Sequence, residues 1–163
     1  MLTWKLATPL LLAVALVGCN KADNTAASTT DAANMTTDAA NMTAKQHMEA
    51  REDIMKSWGK ASKAMGAMVK DPTTFNADTF KAEAEKMTQD PWGHFGPETK
   101  GGDSLDAIWT DTADFQQKID NFKVAATALN TAAATATNVD GIKTQYADLG
   151  ASCKSCHDKY KKD

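Results

Sequence analysis

No stretch of this sequence alternates apolar and polar residues with the two-residue period of a half-buried strand, which excludes a sheet as the organising element. No apolar run is long enough to span a bilayer comfortably. The longest, Leu6 to Val17, is broken by Thr8 and Pro9 and falls short of the ~20 residues that a transmembrane helix needs. No basic excess invites nucleic acid: 18 Lys and Arg stand against 21 Asp and Glu, a formal charge of −3 that becomes one more negative when Lys5 leaves with the leading segment. Cysteine is scarce. Of the 3 present, Cys153 and Cys156 sit together near the C-terminus and Cys19 stands alone near the front, so a disulfide framework is not on offer.

What is present at the front is an export signal. One positive charge within Met1 to Lys5 precedes the apolar run, which ends at Gly18-Cys19. Leu16-Val17-Gly18-Cys19 looks like a bacterial lipobox, in which the cysteine is diacylated and becomes the first residue of the mature protein. Cys19 is then a lipid anchor, because more than one acyl chain gives stable attachment. Ordinary signal cleavage nearby is the alternative, and it would leave a lone exported thiol. Asn20 is not the Asp of an inner-membrane retention signal, which favours the outer membrane, on its periplasmic side. Residues 1–18 are thus a signal peptide and residues 19–43 a tether of Ala, Thr, Asp, Asn and Ser, with Thr29 to Met35 repeated directly as Thr36 to Met42. Such a composition lacks the apolar side chains to bury a core and spans roughly 25–30 Å as a flexible coil.

Residues 44–163 have single-domain length and a clear helical period. Met48, Arg51, Met55, Trp58, Ser62, Met65 and Val69 recur three and four apart until Asp71-Pro72 closes the first segment. A second starts near Asn76 or Asp78, buries Phe80, Ala84 and Met87, and stops before Pro91. The third and longest runs from Leu105 to Ala133, with Asp103, Asp106 and Asp111 at the positive end of its dipole. The fourth is capped by Asp140, turns Ile142, Tyr146, Leu149, Cys153, Cys156 and Tyr160 inward, and ends among lysines. The expected fold is all-α, an antiparallel up-down-up-down four-helix bundle.

Cys153-Lys154-Ser155-Cys156-His157 is the attachment signature of c-type haem. Two thiols on one side of a porphyrin form thioether links, and the adjacent imidazole reaches the iron as proximal axial ligand. At i, i+3 and i+4 of a helix, Cys153, Cys156 and His157 share one face. A redox dithiol wants a strand before the motif, and a zinc half-site wants a second ligand pair. In an up-down bundle the start of the first helix, the second connection and the end of the fourth meet at one end, which brings Met55 towards His157 as a distal-side candidate, against its plainer reading as a core methionine.

Pro91-Trp92-Gly93-His94-Phe95-Gly96-Pro97, Gly101-Gly102-Asp103, Ile108-Trp109 and Leu149 to Tyr160 resemble cytochrome c′ across the whole bundle. The resemblance implies a periplasmic haem protein, commonly dimeric through its first two helices, whose five-coordinate iron takes NO and CO on an apolar distal face; it implies a gas-binding and electron-transfer protein, not an enzyme. It also implies Cys153 and Cys156 as the thioether links to one haem c, and His157 as the iron ligand. Arg51 matches the family's propionate-binding arginine, with an exposed helix charge as the alternative. Glu52 stands where the family has a glutamine, and an anion beside a propionate is unfavourable unless Arg51 neutralises both. Asp103 matches a position near the cofactor but would serve equally as a cap for the third helix. Lys161 stands where many relatives have an arginine. His94 reads as packing and His47 as a solvated residue at a frayed helix start. Three functions stay open: an NO-capturing haem protein, a six-coordinate low-spin electron carrier with Met55 as sixth ligand, and a lipoprotein without haem.

Overall fold

The computed structural model describes residues 41–162. The signal peptide, Cys19 and the tether up to residue 40 lie outside the described residues. Helix α1, Ala44–Lys70, starts at a capping box: the Thr43 side chain accepts from the Gln46 amide, and the Gln46 side chain accepts from the Thr43 amide, so two orphan donors are satisfied reciprocally. It stops at Asp71, whose Oδ1 accepts from the Thr73 amide as Pro72 opens a 3₁₀ turn. Helix α2, Ala77–Lys86, is capped by Asn76 through the Thr79 amide at 2.8 Å. Its last turn is held from α1, where Trp58 Nε1 donates to the Lys86 carbonyl at 2.8 Å.

The third segment is not one helix. A four-residue helix α3, Ala107–Thr110, is separated from α4, Thr112–Ala133, by Asp111 at φ −119° and ψ 57°. The Asp111 carboxylate turns outward to Lys159 Nζ at 2.6 Å, an inter-helix tie in place of a cap. Asp103 caps nothing either: its carbonyl accepts from the Lys162 amide at 2.8 Å, and the Leu105 amide donates to the Tyr160 carbonyl at 2.9 Å. Asp140 is likewise not the cap of the last helix. Asn138 Oδ1 accepts from the Asp140 amide to close a 3₁₀ turn, Val139–Gly141, and α5 then runs from Lys143 to Tyr160.

The result is an all-α four-helix bundle of α1, α2, α4 and α5. Its main core joins Trp58, Met65, Phe80, Met87, Phe122, Leu129, Ile142 and Leu149, and a second cluster of Ile108, Phe115, Ile119 and Tyr160 lies under the α2–α3 connection. That connection closes one end of the bundle. Arg51 in the first half of α1 holds its carbonyls, and the ties from Asp103 and Leu105 hold it to the end of α5. Gly101 and Gly102 turn the chain there at φ +127° and +61°, conformations that a side chain strains against. A Cβ on Gly101 would also stand 2.9 Å from Met48 Sδ.

Candidate functional site

Helix α5 presents Cys153, Cys156 and His157 to a cavity of about 650 Å³. The opposite side comes from α1 through Arg51, Glu52, Met55 and Trp58, and the closed end from Trp92, Phe95, Asp103 and Ser104 of the connection. Phe115, Lys118 and Phe122 of α4 complete the wall. Every residue singled out in the sequence for the cofactor therefore borders one space, together with Lys161. Along it α1 carries the small residues Gly59, Ser62 and Gly66. A Cβ on Gly59 would meet nothing within 4 Å, whereas the Tyr146 hydroxyl already occupies the place of a Gly66 side chain. Tyr146 donates to the Ser62 carbonyl at 2.8 Å, locking α5 to α1 beside the cavity.

Cys153 and Cys156 are half-buried and form no disulfide. Burial raises both thiols, and that of Cys156 is pushed up to about 11 by burial first and by the neighbouring Cys153 second. A protonated thiol is a weak nucleophile, so forming thioethers from this pair calls for a reaction that activates it. Burial also lowers His157, with Lys161 adding to the effect, and a neutral imidazole is the form that ligates a metal.

Arg51 is not an exposed helix charge. It is 3% exposed, with Nη1 donating to the His94 carbonyl at 2.9 Å and the Thr99 carbonyl at 2.8 Å, and Nη2 to the Gly101 carbonyl at 2.8 Å. Phe95 lies under the guanidinium at 4.9 Å. A guanidinium has five N–H donors, and Nε–H and one Nη2–H have no protein acceptor among the described residues. Glu52 Oε2 lies 3.5 Å from Lys56 Nζ, so its charge is shared along α1 and not with Arg51 alone. His47 is not solvated at a frayed helix start: it is 7% exposed, and its Nδ1 lies 3.0 Å from Nδ1 of His94. Neither histidine borders the cavity. Thr99, fully buried against Arg51, had no signal in the sequence, since a threonine among glycines and prolines reads as loop.

These residues fit a haem. The volume lies in the range of cofactor sites, roughly 300–1,000 Å³, and is lined by Trp58, Trp92, Phe95, Phe115 and Phe122. Two thiols and an imidazole emerge on one side, and a buried arginine with uncommitted donors meets the need of a carboxylate. A helical bundle with a C-terminal haem-attachment helix defines the class. The family model for cytochrome c′ matches residues 46–161, and the chain belongs to that family; it carries a covalent haem c with its iron. Among relatives, cytochrome c′ of Alcaligenes xylosoxydans xylosoxydans is 41% identical over 101 residues, covering 60% of this chain and 79% of that one. Cytochrome c-556 of Agrobacterium tumefaciens is 31% identical over 119 residues, covering 70% and 95%. Among solved structures, cytochrome c prime from Shewanella frigidimarina superposes with a TM-score of 0.68 at 34% identity over 74% of this chain and 97% of its own. A nitric oxide complex of a variant of cytochrome c prime from Alcaligenes xylosoxidans matches with the same TM-score at 32% identity, over 74% of this chain and 97% of that chain.

Proposed function

We propose that the protein is a periplasm-facing cytochrome that binds NO and CO and passes single electrons, with NO capture as its principal role. Its relatives have been solved with nitric oxide and with carbon monoxide bound. The observation that carries the reading to this chain is the placing of Met55 and His157 on the same cavity from α1 and α5. His157 would ligate the iron, Cys153 and Cys156 would hold the porphyrin through thioethers, and Arg51 would bind a propionate with its uncommitted donors. Haem iron supplies the ligand-binding and one-electron chemistry; the chain determines what reaches it. Met55, Trp58 and Phe122 line the cavity around that approach and offer no hydrogen-bond donor from Met55 and Phe122, while the Trp58 indole is committed to Lys86. An approach bounded by these three side chains disfavours O₂, whose bound form gains from a donor, over NO. Glu52 and Asp103 border the same space, and their contact to a propionate requires a compensating cation, Arg51 or Lys56 for the first and Lys161 for the second.

The sequence supports a signal peptide to Gly18, lipid on Cys19, a tether to Thr43 and outer-membrane attachment on the periplasmic side, and the family resemblance supports a homodimer through α1 and α2. No helix among the described residues is long and apolar enough to cross a membrane. The test is the absorption spectrum of the dithionite-reduced protein before and after CO. A high-spin spectrum that shifts at once under CO is expected. A low-spin spectrum that resists CO would replace this reading by the electron carrier with Met55 as sixth ligand.

A further inference from the structure

The mouth of the cavity is basic although the chain is acidic. Lys56, Lys63, Lys118 and Lys161 border it with Arg51, against Glu52 and Asp103, in a chain of formal charge −3. The excess continues along α1, which from Ile54 to Lys70 carries four lysines and no acidic residue. Lys45, Lys86, Lys123, Lys154 and Lys159 each hold a carboxylate, and on the rim itself Lys56 reaches Glu52 and Asp53. Among the described residues Lys60, Lys63 and Lys118 take part in no such ion pair. Neutral gases do not use these charges; once Glu52, Asp103 and the two carboxylates of a haem are set against Arg51, Lys56, Lys63, Lys118 and Lys161, the rim keeps one positive charge, to which Lys60 adds beside it on α1.

We infer that this rim is the docking surface for the acidic face of a one-electron redox protein, an inference that rests on the haem reading above. Cations around the opening of a low-dielectric cleft focus the field there and raise the encounter rate with an anionic partner by about tenfold or more, even where the net charge of the molecule repels it. Lys60 and Lys63 are exposed and free to meet carboxylates, and Lys63 and Lys118 border the cavity that Cys153 and Cys156 line, so a partner seated on the rim stands over the attachment side of the cavity. The transfer moves one electron from the reduced partner to ferric iron, and no bond forms or breaks.

The test follows the sign of the salt dependence in the haem-loaded full chain. Reduced protein is oxidised in a stopped-flow cell by the anion hexacyanoferrate(III) or by the cation tris(1,10-phenanthroline)cobalt(III), as ionic strength rises from ~0.01 M to ~0.1 M and the Debye length falls from ~30 Å to ~10 Å. The anion is expected to slow by several-fold and the cation to quicken. The reverse pattern would mean that net charge governs and would overturn the proposal. The double variant K60E/K63E should abolish the slowing, while K81E/K143E, with the same net charge change away from the cavity and from α1, should leave it; equal effects of the two would also overturn it. A reduced plant-type two-iron ferredoxin serves as the acidic protein probe. Its electron transfer to the ferric protein should be inhibited by salt and lost in K60E/K63E, and indifference to that variant would refute protein docking. A preparation with no haem band before any rate is measured would refute the haem reading instead.

Discussion

Arg51 holds Thr99 at two points, donating from Nη1 to its carbonyl oxygen at 2.8 Å and to its Oγ1 at 3.2 Å. Together with the bonds to His94 and Gly101, this makes one α1 side chain the anchor of the connection that closes the cavity. Replacing Arg51 with Met leaves the Thr99 carbonyl without a donor among the described residues, while the His94 carbonyl keeps the Thr99 hydroxyl at 3.0 Å and the Gly101 carbonyl a long bond from the Ser104 amide at 3.4 Å; a buried unsatisfied acceptor costs about 1–3 kcal/mol. Water reaches the half-buried members of the set, so a total loss of ~3 kcal/mol in urea unfolding is expected. Arg51→Lys, a point charge without the planar fork, should recover only part of it. A loss below ~0.5 kcal/mol in Arg51→Met would show that the connection stands without its anchor.

The contact of His47 with His94 predicts a pH dependence. One imidazole donates and the other accepts at 3.0 Å, an arrangement that requires at least one neutral ring. Burial lowers His94 below its usual 6.5, the charges of His47 and Arg51 lower it further, and Asp90 opposes them. The folded state therefore binds a proton less readily than the unfolded state. The stability linked to His94 is fully present above about pH 6.5 and is lost as pH falls through the lowered folded-state value. Urea midpoints should drop between about pH 7 and 5 in the wild type, with a smaller drop in His94→Gln. Parallel profiles for the two proteins would remove His94 from the pH response.

The bundle was legible in the sequence because each segment keeps an apolar stripe with period 3.6, and because Pro72 and Pro91 follow helix ends. The cavity-facing set was legible through the motif and the resemblance. Three things were not. The kink at Asp111 sits where Lys159 ties Asp111 and Asp114 to the end of α5, which no local signal announces. The burial of His47 and Arg51 depends on the connection folding over them, from 43 to 50 residues away in sequence. Aspartate at 140 suits a cap, but it lies inside the 3₁₀ turn that Asn138 closes, and α5 starts after Ile142 with no side-chain cap.

Covalent attachment has a direct check. The haem should stay with the wild-type polypeptide on a denaturing gel stained for peroxidase activity, and Cys153→Ala or Cys156→Ala should weaken or abolish the stain. Complete loss of haem from the wild type under denaturation would contradict attachment through these thiols.

Lipidation makes a separate claim on Cys19. Replacing it with Ser removes the acyl chains, whose buried methylenes are worth ~0.8 kcal/mol each, and should release the protein to the soluble periplasmic fraction. The haem spectrum should not change, because two dozen residues separate the anchor from α1. Unchanged membrane association in Cys19→Ser would refute the anchor.

Met55 separates the gas-binding reading from the electron carrier. Its side chain is half-buried, packs against the main core and borders the cavity that His157 enters from the other side. If it only covers the approach, Met55→Ala removes a barrier to entry, and CO and NO should bind about tenfold faster, equivalent to ~1.4 kcal/mol in activation free energy. The reduced spectrum should stay high-spin in both proteins. The truncation should also cost about 1–2 kcal/mol of stability, less than the 2–5 kcal/mol of a fully buried methionine. A wild-type spectrum that is low-spin when reduced and turns high-spin in Met55→Ala would instead make the thioether an iron ligand, and gas binding would then be limited by the rate at which that ligand leaves.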